Sequence, residues 1–191
     1  MYDAVIIGAG VTGCAAAREL SRYRLQVCVL EKEEDICTGT SKANSGLVHA
    51  GYDAVPGTLK ARMNVLGNRK MDVLAEELDI PFRRNGAVVL CREGQNEAEL
   101  VRLMEQGYKN GVPGLRLLRG EELHGMIPVA ADDVKAALLA PGAGIICPFR
   151  LTAGLAENAC TNGVEFWMDC PVSQIDKQED GYCLHTGKGM V

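Results

Sequence analysis

Apolar and polar positions alternate along the chain in blocks whose lengths separate strands from helices. Met1 to Ile7 carries a short apolar run of strand character, and Val27-Cys28-Val29-Leu30 is a second. Between them Cys14 to Leu20 is helix-like, rich in alanine. A polar loop follows, Lys32 to Ala43, and then a nearly uncharged small-residue stretch, Asn44 to Gly51. Leu59, Met63, Leu66, Met71, Leu74 and Leu78 form an apolar stripe that predicts a helix over about 59–78, stopped before Pro81. Phe82 to Cys91 reads as a strand, and Gly94 to Asn110 as an amphipathic helix closed by Gly111.

Beyond it Leu115 to Leu118 is a short apolar stretch, Gly120 to Ile127 a helical turn ended by Pro128, and Val134 to Ala140 a strand before Pro141-Gly142. Pro148 to Asn162 predicts a helix closed by Gly163, and Val164 to Met168 a strand. Val172 to Asp176 and Tyr182 to His185 predict a hairpin around Asp180-Gly181. The helix–strand pair at 148–168 can add a parallel strand to the first sheet, whereas 80–145 has a different mixture. The expected organisation is a nucleotide-binding domain in two parts, 1–80 and 146–191, interrupted by a substrate-facing insertion over 81–145.

Chemistry enters at the first turn. Gly8-Ala9-Gly10-Val11-Thr12-Gly13 is a G-x-G-x-x-G between a strand and a helix, and the second strand ends on Glu31. That is the pattern of a dinucleotide-binding βαβ unit. Gly8 permits the tight turn, Gly10 lets a pyrophosphate approach the backbone, and Gly13 lets the helix pack closely on the sheet. The helix N-terminus offers unpaired N–H groups to phosphates, with Val11 and Thr12 at its start. Glu31 can accept both hydroxyls of a ribose and would repel a 2′-phosphate. Lys32 is either a contact on the adenine side or a solvated lysine.

Composition narrows the classes. The net charge is −5, with no basic stripe, which disfavours nucleic acid as the main partner. No apolar run approaches the ~20 residues that span a bilayer, which leaves peripheral membrane contact open. The eight cysteines form no C-x-x-C pair and several lie in apolar strands or helices. They read as reduced thiols of a cytoplasmic protein, not as disulfides or metal ligands, and no metal is expected. A strand beginning at residue 2 leaves no room for a signal peptide.

With Leu30-Glu31-Lys32, Asn44-Ser45-Gly46-Leu47-Val48-His49-Ala50-Gly51, Ala140-Pro141-Gly142-Ala143-Gly144 and Cys147-Pro148-Phe149-Arg150-Leu151-Thr152, the chain resembles the FAD-dependent amino-acid oxidase and glycerol-3-phosphate dehydrogenase superfamily. The Asn-Ser-Gly-x-x-His-Ala-Gly stretch resembles L-2-hydroxyglutarate oxidases, and Pro-Phe-Arg-Leu-Thr resembles anaerobic-type glycerol-3-phosphate dehydrogenases. The resemblance implies an α/β fold, a Rossmann-like FAD-binding βαβ domain with an inserted α+β substrate domain, truncated at the C-terminus. It implies FAD as cofactor and hydride transfer from a small anionic hydroxy substrate, foremost sn-glycerol 3-phosphate, to flavin N5.

In the family pattern Thr40 and Ser41 meet the pyrophosphate and ribityl chain. Ser45, Gly46 and Leu47 pass the flavin ring, and Val172 addresses adenine. His49 is the catalytic candidate. It can take the hydroxyl proton, orient the flavin, attach it covalently, or merely fill space. His124 and His185 read as surface or edge residues, and Arg83, Arg84 and Arg150 could each hold an anion or be solvated. Relatives continue beyond a point matching Val191, so the chain alone is expected to turn over weakly or not at all. The competing functions are an L-2-hydroxy-acid dehydrogenase, an amine or amino-acid oxidase, and a non-catalytic FAD-binding module. A short-chain NAD dehydrogenase is disfavoured by the glycine spacing and the lack of Tyr-x-x-x-Lys.

Overall fold

The structure, a computed structural model, describes residues 1–191. Along the chain run β1 (Ala4–Ile7), α1 (Val11–Leu20), β2 (Val27–Leu30), β3 (Leu47–Val48), α2 (Leu59–Glu77), β4 (Phe82–Arg83), β5 (Ala87–Arg92) and α3 (Ala98–Lys109). They are followed by β6 (Arg116–Arg119), α4 (Gly120–Met126), β7 (Val134–Ala140), β8 (Gly144–Ile146), α5 (Pro148–Thr161), β9 (Glu165–Trp167), β10 (Val172–Gln178), β11 (Gly181–Thr186) and β12 (Gly189–Met190).

Two compact units share these elements. The first comprises Met1–Ser45, Ala75–Ile80 and Cys147–Val191. Its parallel sheet has the order β1-β2-β9, with Cys28 opposite Val5 on one side and Glu165 on the other. The central strand β2 is apolar throughout because all four of its residues are buried, as a strand covered on both faces requires. Cys28 and Leu30 join a core with Cys170 and Leu184, against which Tyr2, Trp167 and Val172 pack. Helices α1 and α5 pack on each other, with Cys14, Ala17 and Ala159 fully buried. Arg18 of α1 donates to Asn158 Oδ1 (3.1 Å) and to Glu77 Oε2 (2.6 Å). Strands β10, β11 and β12 make an antiparallel sheet.

The second unit comprises Gly46–Leu74 and Pro81–Ile146. It holds two antiparallel sheets, β5-β7-β6 and β3-β8-β4. Its core gathers Tyr52, Val65, Leu100, Val112, Leu115 and Leu138. Helix α3 comes close enough at Gly107 that a Cβ there would lie 2.3 Å from Leu115 Cδ1 and 2.9 Å from Tyr52 Cβ.

Several expectations change here. The strand expected over 82–91 is two strands in different sheets, broken at Arg84-Asn85-Gly86, where Gly86 has φ +73°. The helix expected from Gly94 starts at Ala98, after a turn at Glu93–Gln95 and a bond from the Ala98 N–H to Asn96 Oδ1 (3.0 Å). Strands β3, β8 and β12 are too short to show a period. The units also divide the chain differently from the sequence boundaries 1–80, 81–145 and 146–191. Residues 46–74 fall in the second unit, since β3 pairs with β8 and α2 supplies Val65 to the second core.

Candidate functional site

The glycine turn sets the geometry of the first unit. Gly8 sits at φ +101°, a conformation that L side chains rarely adopt. A Cβ on Gly13 would lie 1.9 Å from the Gly8 carbonyl oxygen, so the first turn of α1 closes on the end of β1 only without a side chain. A Cβ on Gly10 would meet Ser41 Oγ at 3.0 Å. The missing side chain at Gly10 thus lets Ser41 come close to the turn, and a methyl group there would press on its hydroxyl.

No side chain caps α1 at Gly10. The amides of Val11, Thr12 and Gly13 have no intrahelical acceptor. Val11 N–H donates to Ser41 Oγ at 2.9 Å, which fixes the polar loop over the helix start. Cys37, at φ +61°, donates its N–H to the Ala9 carbonyl (3.1 Å) and clips the same loop to the turn.

Glu31 is buried, 7% exposed. Its Oε2 accepts the Ala9 N–H at 2.7 Å and its Oε1 the Glu33 N–H at 3.0 Å. Its backbone is pinned as well, with its N–H on the Trp167 carbonyl (2.9 Å) and its own carbonyl accepting the Cys170 N–H (2.7 Å). A carboxylate has about four lone-pair sites, so capacity for two further donors stays available. Lys32 is solvated and pairs with Glu33 at 3.4 Å.

These segments enclose a cavity of about 400 Å³ lined by Gly8, Gly10, Glu31, Lys32, Thr40, Ser41 and Val172, all singled out in the sequence. The structure adds Thr38, Gly39, Cys170 and Pro171 to its wall. Thr38 and Gly39 carried no signal beyond lying in a polar loop. Cys170 and Pro171 were readable only as neighbours of Val172. Val11, Thr12 and Gly13 flank the cavity from the helix start and do not line it, and Ser45 is exposed away from it.

Gly46, Leu47 and His49 belong to the second unit. Gly46, at φ +67°, is buried and accepts the Ile146 N–H at 2.9 Å, while Leu47 pairs with Ile145. The His49 side chain is exposed, and its carbonyl oxygen accepts Asn68 Nδ2 at 2.9 Å. Arg84, read in the sequence as a possible anion holder, is bound instead to Asp72, Asn68 and Gly142. Those bonds hold the Asp72 carboxyl below its ordinary range. Arg83 and Arg150 are exposed, and no His, Cys, Asp and Glu cluster has the make-up of a metal site.

The groups at and beside the cavity fit a dinucleotide: for a diphosphate, a helix start whose Thr12 and Gly13 amides have no intrahelical acceptor; for ribose hydroxyls, a buried carboxylate; and in the wall, the bare glycines Gly8 and Gly10. The family model described as FAD dependent oxidoreductase, DAO, matches residues 3–190. The chain belongs to the FAD dependent oxidoreductase family.

Within this family the chain is 48% identical over 188 residues to the glycerol 3-phosphate dehydrogenase of Caloramator mitchellensis, covering 98% of this chain and 39% of that protein. It is 30% identical to the L-2-hydroxyglutarate dehydrogenase of Indibacter alkaliphilus, covering 98% of this chain and 47% of that one. Among solved structures it resembles the dithionite-reduced L-alpha-glycerophosphate oxidase of Mycoplasma pneumoniae with FAD bound. The TM-score is 0.87 at 32% identity, over 97% of this chain and 50% of the other. The chain thus spans half or less of the length of these FAD dependent oxidoreductases. No helix is long and apolar enough to cross a membrane.

Proposed function

We propose that this chain holds FAD in an oxidoreductase that takes hydride from the hydroxyl-bearing carbon of a small anionic substrate, foremost sn-glycerol 3-phosphate. The observation that carries the cofactor is the cavity in which Gly8 and Gly10 of the turn and Glu31 face one space. The observation that ranks the substrate is 48% identity to a glycerol 3-phosphate dehydrogenase against 30% to an L-2-hydroxyglutarate dehydrogenase.

When bound, the flavin supplies the hydride-accepting ring, chemistry that no side chain offers. This chain's residues do the rest. The Thr12 and Gly13 amides and the α1 dipole would neutralise the diphosphate across the gap at Gly10, with Val11, whose N–H already holds Ser41 Oγ, keeping the loop in place beside it. The Thr40 and Ser41 hydroxyls add donors along it. Glu31, its two backbone bonds already made, accepts the ribose hydroxyls with its remaining lone pairs, and Lys32 and Val172 border the adenine. By the family resemblance Ser45, Gly46 and Leu47 would pass the flavin ring, and the bare backbone at Gly46 suits close approach. His49 accepts the hydroxyl proton as hydride leaves. The eight free thiols, five of them buried, suit a reducing cytoplasm.

Calorimetry with FAD and with ADP tests the cofactor half. Binding of both is expected, and Glu31→Gln should weaken both by about tenfold, the worth of a charge-assisted pair. No uptake by folded protein would end the proposal. Mixing the gene's full translation product with sn-glycerol 3-phosphate or L-2-hydroxyglutarate and following flavin bleaching tests the substrate. Faster bleaching by the hydroxy acid would favour the second reading, which the Asn44–Gly51 stretch supports. The 191-residue chain alone is expected to bind FAD without sustained turnover.

A further inference from the structure

The backbone after β3 is held by side-chain amides within the second unit. Asn68 Nδ2 donates to the His49 and Gly142 carbonyls, both at 2.9 Å. Asn110 Nδ2 donates to the Gly51 (2.9 Å) and Ala54 (2.7 Å) carbonyls, and Gln106 Nε2 to the Tyr52 carbonyl (3.2 Å). A held carbonyl fixes its planar peptide, and so the two backbone torsions around it.

Asn68 has no freedom of its own. Arg84 Nη1 donates to Asn68 Oδ1 at 3.0 Å, and Arg84 Nη2 to the Asn68 carbonyl at 2.7 Å. Flipping the amide would set its NH2 against the guanidinium. Arg84 is itself spent. Its Nε bridges both Asp72 oxygens (3.0 and 2.9 Å), Nη2 also donates to Asp72 Oδ2 (2.5 Å), and Nη1 also donates to the Gly142 carbonyl (2.6 Å). All five donors of the fork are committed within the protein, and the guanidinium rests on the Phe82 ring at 5.2 Å. None is left for a substrate anion.

We propose that Asn68, locked by Arg84 and Asp72, is a positioning residue for His49. This rests on the reading that His49 takes the substrate proton. Asn68 supplies the bond that sets the His49 peptide and hence the point from which the imidazole swings. Misplacement of a reacting group by about 1 Å can cost about a hundredfold in rate.

Two measurements test it. The chain has three histidines, so substitution of His49 assigns its imidazole resonance at once. Asn68→Ala should move or broaden the His49 signal and leave His124 and His185 in place; an unmoved His49 signal overturns the proposal. In the full translation product loaded with FAD, Asn68→Ala should slow flavin reduction about tenfold or more with substrate KM little changed, and should alter the pH profile. On a His49→Asn background the same change should cost nothing further. Equal losses in both backgrounds would overturn the positioning role. A His49→Asn enzyme as fast as the parent would instead sink the reading of His49, and the positioning role with it. Should Asn68→Ala fail to fold, Arg84→Lys carries the same comparison with a smaller loss expected.

Discussion

Gly13 shows how little latitude one position can have. A methyl group there would stand 1.9 Å from a carbonyl oxygen of the preceding turn. Gly13→Ala should therefore push α1 off β1, at a cost of about 1–3 kcal/mol, seen as a lower Tm together with weaker ADP binding. The thiols divide as sharply. Burial pushes both Cys14 and Cys28 up to about 11. A thiol raised in the folded state binds its proton there beyond the pH at which the unfolded chain releases it. The stability involved is complete below about pH 9 and is lost as pH climbs towards 11. Thermal melts should show Tm falling over that window. In native alkylation the exposed Cys147 should react well before either buried thiol. At this scale the sequence was most informative where a residue's own chemistry limits it: Gly8, Gly10 and Glu31 are legible because backbone geometry and charge are local. Thr38 and Cys170 were not, because only the fold brings them to the cavity.

Elements repeat that division. Helix α2 was readable to within a residue at its C-terminal end, from its apolar stripe and the following proline. Its N-terminus is capped by Thr58, whose Oγ1 accepts the Ala61 N–H at 3.2 Å. Thr58→Ala should cost about 1 kcal/mol, measured by urea unfolding. The break between β4 and β5 escaped the sequence because Arg84 sits between them, its bonds to Asp72 and Asn68 drawing the chain out of the strand. The Arg84 bonds hold the Asp72 carboxyl low, so the contribution of this link is present above the ordinary carboxylate range. It fades as pH falls through the lowered value. Asp72 is more than half exposed, so the loss is modest, and Asp72→Asn should flatten the acid side of the stability profile. The two-residue strands β3 and β4 had no period to read; their pairing with β8 creates them.

At the scale of the molecule, the cavity proposed for the cofactor is assembled from both ends of the chain. The parallel sheet expected from the helix–strand pair near 148–168 is present, with β9 beside β2. The boundaries of the units could not be read from composition, because the chain crosses from one unit to the other within α2 itself, between Leu74 and Ala75. A protein cut after Ile146 keeps the glycine turn and Glu31 but loses β9 and the Cys170 and Val172 walls. Its calorimetric response to ADP should vanish, although every residue of the motif survives. Retained affinity would show that the βαβ motif alone suffices.

The pinning of Glu31 also has a consequence in time. Its backbone partners are Trp167 and Cys170, more than 130 residues downstream. A ribosome adding about 5–20 residues per second releases the glycine turn first, then spends on the order of ten seconds before the acid can be locked. Nascent chains should therefore gain the power to quench or retain flavin only when synthesis has passed Cys170, well after the glycine turn itself has been made.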